Sequence, residues 1–397
     1  MKSLFFFFAL ALAAPAAAGA DEAARAAAAL AAPEPRGAES LFDSEFFAQI
    51  SLEKLNAMFS GLNAERGAVT ETLLVSSGAW AGHYFYDTAG GWRVPVAVSL
   101  NPRGGKIKGF FLGQPYRKSA ALAAARGRLA ALPGRKGLLV RRLGKSPETL
   151  EALNEDEYFA VASVSGLYVL GAILEGGTPW RKVFRPRAGG KPPLTAQALA
   201  ALMISGDDDT AADALIDGLG RRRIEALLPA LGHGAPERLR PFLKASEVSR
   251  LNSGTEAALE YLNLPPGGKY GFLDALAAAP PAAGPAQRSP FGVGRIGWQA
   301  SPADLCRLMA YFSAGADERA LGLLAPGRGL PAAAGFVYAG YKGGAGPGVL
   351  SAAWLLKDKK GRWTCLAAAW NDGAADPDAA EFERALGGAL AALAAAD

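Results

Sequence analysis

The sequence predicts an α+β protein with two domains, and three observations predict it. Short β-rich runs gather in two places, residues 69–112 and 335–372, with the period and turn residues of antiparallel strands. Between those two groups, residues 195–265 read as one helical pattern after another. A further strand signal at 137–142 leaves strands at both ends of the larger domain, which suggests one antiparallel sheet joined by its termini with a helical subdomain inserted. A small α+β domain of one helix and about four antiparallel strands precedes it.

The elements follow in order. Residues 1–20 have the grammar of a signal peptide: Lys2, a short apolar run from Leu4 to Leu12, then Ala18-Gly19-Ala20 before Asp21. No Cys lies there to take a lipid, and no later stretch has the length of apolar chain a membrane span needs. The mature chain is therefore expected without a transmembrane segment, exported to the periplasm or beyond. Residues 21–38, rich in Ala and then broken by Pro and Gly, read as a linker with a frayed helix.

The small domain is placed at 39–115. Phe46, Phe47, Ile50, Leu52, Leu55, Met58, Phe59 and Leu62 recur at helical spacing. Ser51-Leu52-Glu53-Lys54 lies inside that pattern and is a coincidental S-x-x-K. The runs VTETLLVSS, HYFYDT, WRVPVAVSLN and KIKGFFLG then supply strands, with Gly90-Gly91 and Arg103-Gly104-Gly105 as turns between the later ones. His83 reads as a residue of that sheet.

The larger domain is placed at 116–397. It opens with a helix over 120–132 and a strand over 137–142. YFAVAS, residues 158–163, reads as a strand feeding an apolar helix from Leu167 to Leu174. Ser253-Gly254-Thr255-Glu256 has the form of a capping box, and Ser301-Pro302-Ala303-Asp304 puts Pro at a first helical position. GFVYAGYKGG, GVLSAAWLLKD and WTCLAAAWND are strands, and an amphipathic helix over 379–394 closes the chain.

Composition excludes more than it assigns. With 42 basic and 37 acidic residues the net charge is +5, too mild and too evenly spread for nucleic-acid binding. Two histidines, His83 and His233, stand far apart, and a His/Cys metal site needs clustered ligands, so no metal or other cofactor is expected. Cys306 and Cys365 sit in apolar contexts and read as buried small hydrophobes. An exported chain can pair such cysteines, but spacing shows no proximity.

Three segments carry the chemistry. Ser163-Val164-Ser165-Gly166 joins a small turn to an apolar helix. Ser205-Gly206-Asp207-Asp208-Asp209-Thr210 holds three consecutive aspartates. Lys342-Gly343-Gly344-Ala345 follows GFVYAGY on a strand. In this order the segments resemble the S-x-x-K, S-D-N and K-T-G motifs of the class A β-lactamase and penicillin-binding-protein family of serine hydrolases. The likeness is strongest to two-domain members that carry a small α+β domain in front. It covers residues 116–397 well, with supporting similarity at Arg295–Ser301 and Trp370-Asn371-Asp372.

The resemblance implies a β-lactamase-like fold, with Ser163 at the nucleophile position and Asp207, Asp208 and Asp209 at the S-D-N position. Lys342, Gly343 and Gly344 take the K-T-G position as substrate binders, and the backbone N–H groups of Ser163 and Ala345 take the oxyanion position. A β-lactam or a D-Ala-D-Ala-like peptidoglycan amide is the implied ligand. The departures concern proton transfer. A serine hydroxyl needs a base within hydrogen-bond reach, and Gly166 stands where the motif lysine would. Asp207 cannot donate when ionised, and Asp209 is acceptor-only where the motif has an amide. Backbone donors do not depend on side chains. Crowded aspartates should raise one another's pKa, and Lys342 could neutralise one, which leaves a rewired base open. Asp-rich turns also serve as solvated helix caps. In the loop 236–251, Glu237 and Glu247 stand in no familiar pattern for a deacylating carboxylate. Two readings remain open: impaired acyl transfer at Ser163, and a non-catalytic envelope binding protein that recognises peptidoglycan or a protein partner.

Overall fold

The computed structural model describes residues 23–28, 30, 38–77, 80–113, 115–118, 120–185, 192–253, 255–279, 290–315, 317–326 and 335–395. The chain divides into two compact units, residues 1–118 and 119–397. The expected signal peptide, 1–20, lies outside the described residues.

In the first unit, helix α1 spans Leu52–Arg66 and begins at Ser51, whose Oγ accepts from the Lys54 amide at 3.2 Å. The S-x-x-K at 51–54 is thus a helix N-cap. That cap also explains why the single helical pattern read from Phe46 to Leu62 is broken: Ser44–Phe47 is a separate short helix. Four strands follow: β1 (Val69–Ser77), β2 (Ala81–Thr88), β3 (Trp92–Leu100) and β4 (Ile107–Leu112). They pair antiparallel in that order. Tyr84 and Tyr86 on β2, with Val94, Val96, Val98 and Leu100 on β3, alternate onto one face and bury Leu55, Phe59 and Leu62 of α1. Residues 23–28 are helical, and Ala23, Ala26, Ala27 and Leu30 lie buried in the same core. Side chains this small let a backbone approach closely, and the Ala27 carbonyl accepts from Tyr86 Oη at 2.6 Å. His83 is an exposed residue of β2, opposite Ala97.

The second unit is built on a five-stranded antiparallel sheet. Helix α2 (Ala120–Ala131) leads into β5 (Arg135–Arg142) and β6 (Glu148–Leu153). The helical middle follows. Then β9 (Tyr338–Gly346), β10 (Val349–Lys357), β11 (Trp363–Asn371) and helix α7 (Ala379–Ala395) complete the unit. The strand order β9-β10-β11-β5-β6 joins both ends of the domain at the β11–β5 seam, so β11 is central and β9 is an edge. This is the α+β architecture the strand placement predicts.

Helix α6 (Pro302–Gly315) lies on one face of the sheet, and α2 with α7 on the other, as the alternation of β11 requires. Trp370 meets Phe382 of α7, while Cys365, of the opposite parity, faces α6. There it forms a disulfide with Cys306, Cα to Cα 5.5 Å. The reading of both cysteines as plain buried hydrophobes is corrected. They are buried, at 1% and 0% exposure, but bonded, because helix and strand meet across 59 residues of sequence that spacing could not bridge.

Strand β6, ETLEAL, has no sequence expectation behind it. Glu, Leu and Ala favour helix, and pairing with β5 overrides that preference. Conversely, the strand read over 158–163 is only β7, Phe159–Ala160, paired with β8, Gln299–Ala300. No helix among the described residues is long and apolar enough to cross a membrane, and none of their His, Cys, Asp and Glu side chains form a group of three able to hold a metal.

Candidate functional site

Ser163 stands on a one-turn 3-10 segment, Ala162–Ser165, that runs into helix α3 (Gly166–Glu175). Four contacts fix the backbone that leads to it. Asn371, at the end of β11, clamps Ala160 from both sides: its Oδ1 accepts from the Ala160 amide at 2.7 Å and its Nδ2 donates to the Ala160 carbonyl at 3.0 Å. The Val161 amide donates to the Trp298 carbonyl at 3.0 Å. The Val161 carbonyl accepts from buried Ser351 Oγ at 2.6 Å. These bonds hold Ala162 at φ 44°, the left-handed region that non-glycine residues seldom enter. Strain of this kind persists only where its surroundings over-determine it.

The K-G-G strand packs onto this turn. A methyl group on Gly344 would overlap the Val161 carbonyl and lie 2.9 Å from the Ser163 backbone nitrogen. Only glycine permits that approach. Gly344 pairs with Ser351 across β9 and β10, so the residue that pins Val161 lies directly beside it. Ala345 follows, exposed, on the edge strand.

Side chains beside the turn are arranged otherwise. Gly166 opens α3, and the space beside its Cα is lined by Met203 and Ile204 of helix α4 (Ala196–Ser205). A methyl there would lie 3.4 Å from Met203 Cγ and 3.5 Å from Met203 Sδ. The position that the resemblance gives to a lysine thus holds no side chain and is lined by apolar atoms. Ser163 Oγ has no hydrogen-bond partner among the described residues.

Lys342, 2% exposed, points from β9 at the C-terminus of α4. Its Nζ donates to the carbonyls of Met203 at 2.9 Å and Ile204 at 3.0 Å, and to Asp207 Oδ1. An ammonium has three donors, and all are used. Two go to the end carbonyls of a helix, where a cation is favoured.

The three aspartates divide their tasks. Asp207 adopts φ 50° in the turn after α4 and forms the ion pair with Lys342. Asp208 is the N-cap of helix α5 (Asp209–Leu219), its Oδ1 accepting from the Ala211 amide at 3.0 Å. Asp209, in the first turn of α5, meets solvent, yet its pKa is raised, first by desolvation, then by Asp207 and Asp208, with Lys342 opposing. Two candidates lie elsewhere in local roles: Glu247 is buried against Arg221 at 2.5 Å and accepts from the Lys244 amide at 2.8 Å, and Glu237 is exposed.

All three motif segments thus converge on one place: Ser163 against Gly344, Gly166 against Met203, Lys342 against Asp207. Sequence reasoning missed Met203, Ile204 and Ser351. Ser351 left a signal, a lone polar residue in the apolar run VLSAAWLL. The two apolar residues ahead of Ser205 left none.

No protein-family model matches the chain, and no curated protein matches it. Solved structures do. A β-lactamase from Sphaerobacter thermophilus is similar at 18% identity, over 69% of this chain and 95% of that one, with a TM-score of 0.47. A β-lactamase from Desulfarculus baarsii is similar at 21%, over 69% and 97%, with a TM-score of 0.47. The penicillin-binding protein PBP-A is similar at 19%, over 70% and 96%, with a TM-score of 0.45.

Proposed function

We propose that this chain is an exported binding protein that holds a β-lactam or D-Ala-D-Ala-like amide at Ser163 without efficient turnover. One observation carries the reading: Gly166 offers no side chain and has only apolar Met203 and Ile204 beside it, while Lys342 is bonded to two helix-end carbonyls and Asp207. Binding needs less. The Ser163 and Ala345 amides are the candidate donors to a ligand carbonyl, and backbone donors survive the loss of catalytic side chains. Export is supported by the signal-peptide pattern at 1–20 and by the Cys306–Cys365 disulfide, a bond of oxidising compartments. Peptidoglycan is the natural source of such an amide in that setting.

The strained Ala162 favours a second reading, in which Ser163 is still presented for acyl transfer and a carboxylate such as Asp209 takes its proton. Intact mass after incubation with benzylpenicillin and a cephalosporin, beside the Ser163→Ala variant, separates the two. Binding without chemistry gives no adduct in either protein and ligand-induced thermal stabilisation in both. An adduct on the wild type that the variant lacks means that Ser163 acylates, and the binding-only reading is wrong.

A further inference from the structure

A buried imidazole touches both the strand that enters the serine turn and the helix that leaves it. The side chain of His233 is fully buried. Its Nε2 lies 2.9 Å from the Gln299 carbonyl, which can only accept, and its Nδ1 accepts from the Ala235 amide at 3.2 Å. Two backbone partners thus select one form of the ring, neutral with its proton on Nε2. Gln299 opens β8 and pairs with Ala160 of β7. Trp298, just before it, holds the Val161 amide ahead of Ser163. The same ring meets Tyr168 of α3, with centroids 5.3 Å apart.

The surroundings favour the neutral ring. Burial lowers its pKa. Asp304 of α6, buried 3.8 Å from Nε2, opposes that, as do the Gln299 carbonyl and exposed Glu237, while Arg307 adds to the lowering. The Asp304 oxygens are already taken by the amides of Gly234 at 2.8 Å and Ser301 at 3.1 Å and by Arg307. Tyr158 and Tyr168 flank the ring, and burial keeps both phenols neutral. Arg238 stacks on Tyr158 and donates to Gln299 Oε1 at 3.1 Å. A second proton on His233 would sit on Nδ1 and face the Ala235 N–H, donor against donor.

We propose that His233 is a positioning residue of the serine turn and renders it acid-sensitive: the neutral ring braces β8 and α3, and a proton on Nδ1 releases them. What that release does to a ligand rests on the binding function proposed above; the movement of the turn does not. The sign follows from the lowered pKa. The stability that the neutral ring contributes is complete above about pH 6.5, the ordinary histidine value, and falls from there toward the lowered one. The folded protein takes the proton only at the lower value.

The test is an NMR titration of isotope-labelled protein without ligand, from about pH 7.5 to about 4.5, wild type beside His233→Gln. Glutamine keeps a donor for the Gln299 carbonyl and does not titrate. In the wild type the imidazole should show the Nε2–H form and titrate below about 6.5. The Val161, Ser163 and Gln299 amides should shift with the same midpoint. That step should be absent from His233→Gln, which should keep the neutral-pH positions of these amides. Turn amides that do not follow the ring, or that move equally in the variant, overturn the proposal, as does an Nδ1–H ring or one that stays neutral throughout. If the variant fails to fold, the match of midpoints in the wild type decides alone. Thermal stabilisation by benzylpenicillin at pH 7.5 should disappear below the ring's midpoint in the wild type and persist in the variant. A wild type stabilised at no pH counts against the binding function, and the titration still decides the role of His233.

Discussion

The backbone that carries Ser163 and the side-chain pocket beside it meet at one turn, yet they are built to different ends. In the backbone region the groups that lead into the turn are held: Asn371 on Ala160, Trp298 and Ser351 on Val161, with Gly344 pressed against the turn. Its cost, a left-handed Ala162, is met by that surrounding network. In the pocket the polar groups are turned on one another. Lys342 caps α4 and pairs with Asp207, Asp208 caps α5, and Met203 and Ile204 lie beside Gly166. The contrast teaches that the geometry for holding a carbonyl and the machinery for moving a proton are separable. The first resides in backbone amides and in glycine, the second in side chains, which under the proposed binding function this chain does without.

The largest effect expected of any variant falls on the sheet that supports the backbone region. Replacing both Cys306 and Cys365 by Ala releases a closed loop with a sequence separation of 59, worth at most about 4 kcal/mol by loop entropy. A urea melt should show a lower midpoint, and an unchanged midpoint would mean that α6 and β11 are held without the bond. A smaller loss is expected from Asn371→Ala. It strands a buried N–H and a buried C=O on Ala160, costing about 2–4 kcal/mol. If Asn371 positions the serine turn, ligand-induced stabilisation should shrink as well. Retained ligand response in a destabilised variant would separate stability from site geometry and weaken the contrast. Smallest, and opposite in sign, is Gly166→Ala. Gly166 has helical dihedrals and room for a methyl in ordinary contact with Met203, so the variant should gain about 0.5–1 kcal/mol. A loss instead would show that the pocket needs the glycine.

Much of the architecture was legible because its signals were local. Alternation on β3, the Ser301-Pro302 helix start and the three C-terminal strands each announce themselves within about ten residues. β6 did not, since ETLEAL is a helical composition made into a strand by its neighbour. Nor did the helix at 23–28, where Ala-rich sequence reads as a linker unless a core is known to lie beside it. At the site, Gly166 was plain at the position the resemblance gives to a lysine, but what lies beside it was not. Met203 comes from a helix 37 residues away, and its meeting with Gly166 is a tertiary fact. The three aspartates were open to both a catalytic and a capping reading, and their local bonds are those of caps and an ion pair.

The pairing of Lys342 with Asp207 has a consequence for encounter as well as for chemistry. A lone buried ammonium would project a field into solvent and draw anions toward the mouth of the site. Here its charge is cancelled by a carboxylate bonded directly to it, with the side chain of Asp207 66% exposed at the outer end of the pair. An anionic ligand approaching this edge meets a dipole whose negative end faces outward. Under the proposed binding function, arrival would be left to ordinary diffusion and selectivity exercised only after contact, by shape and by hydrogen bonds along β9.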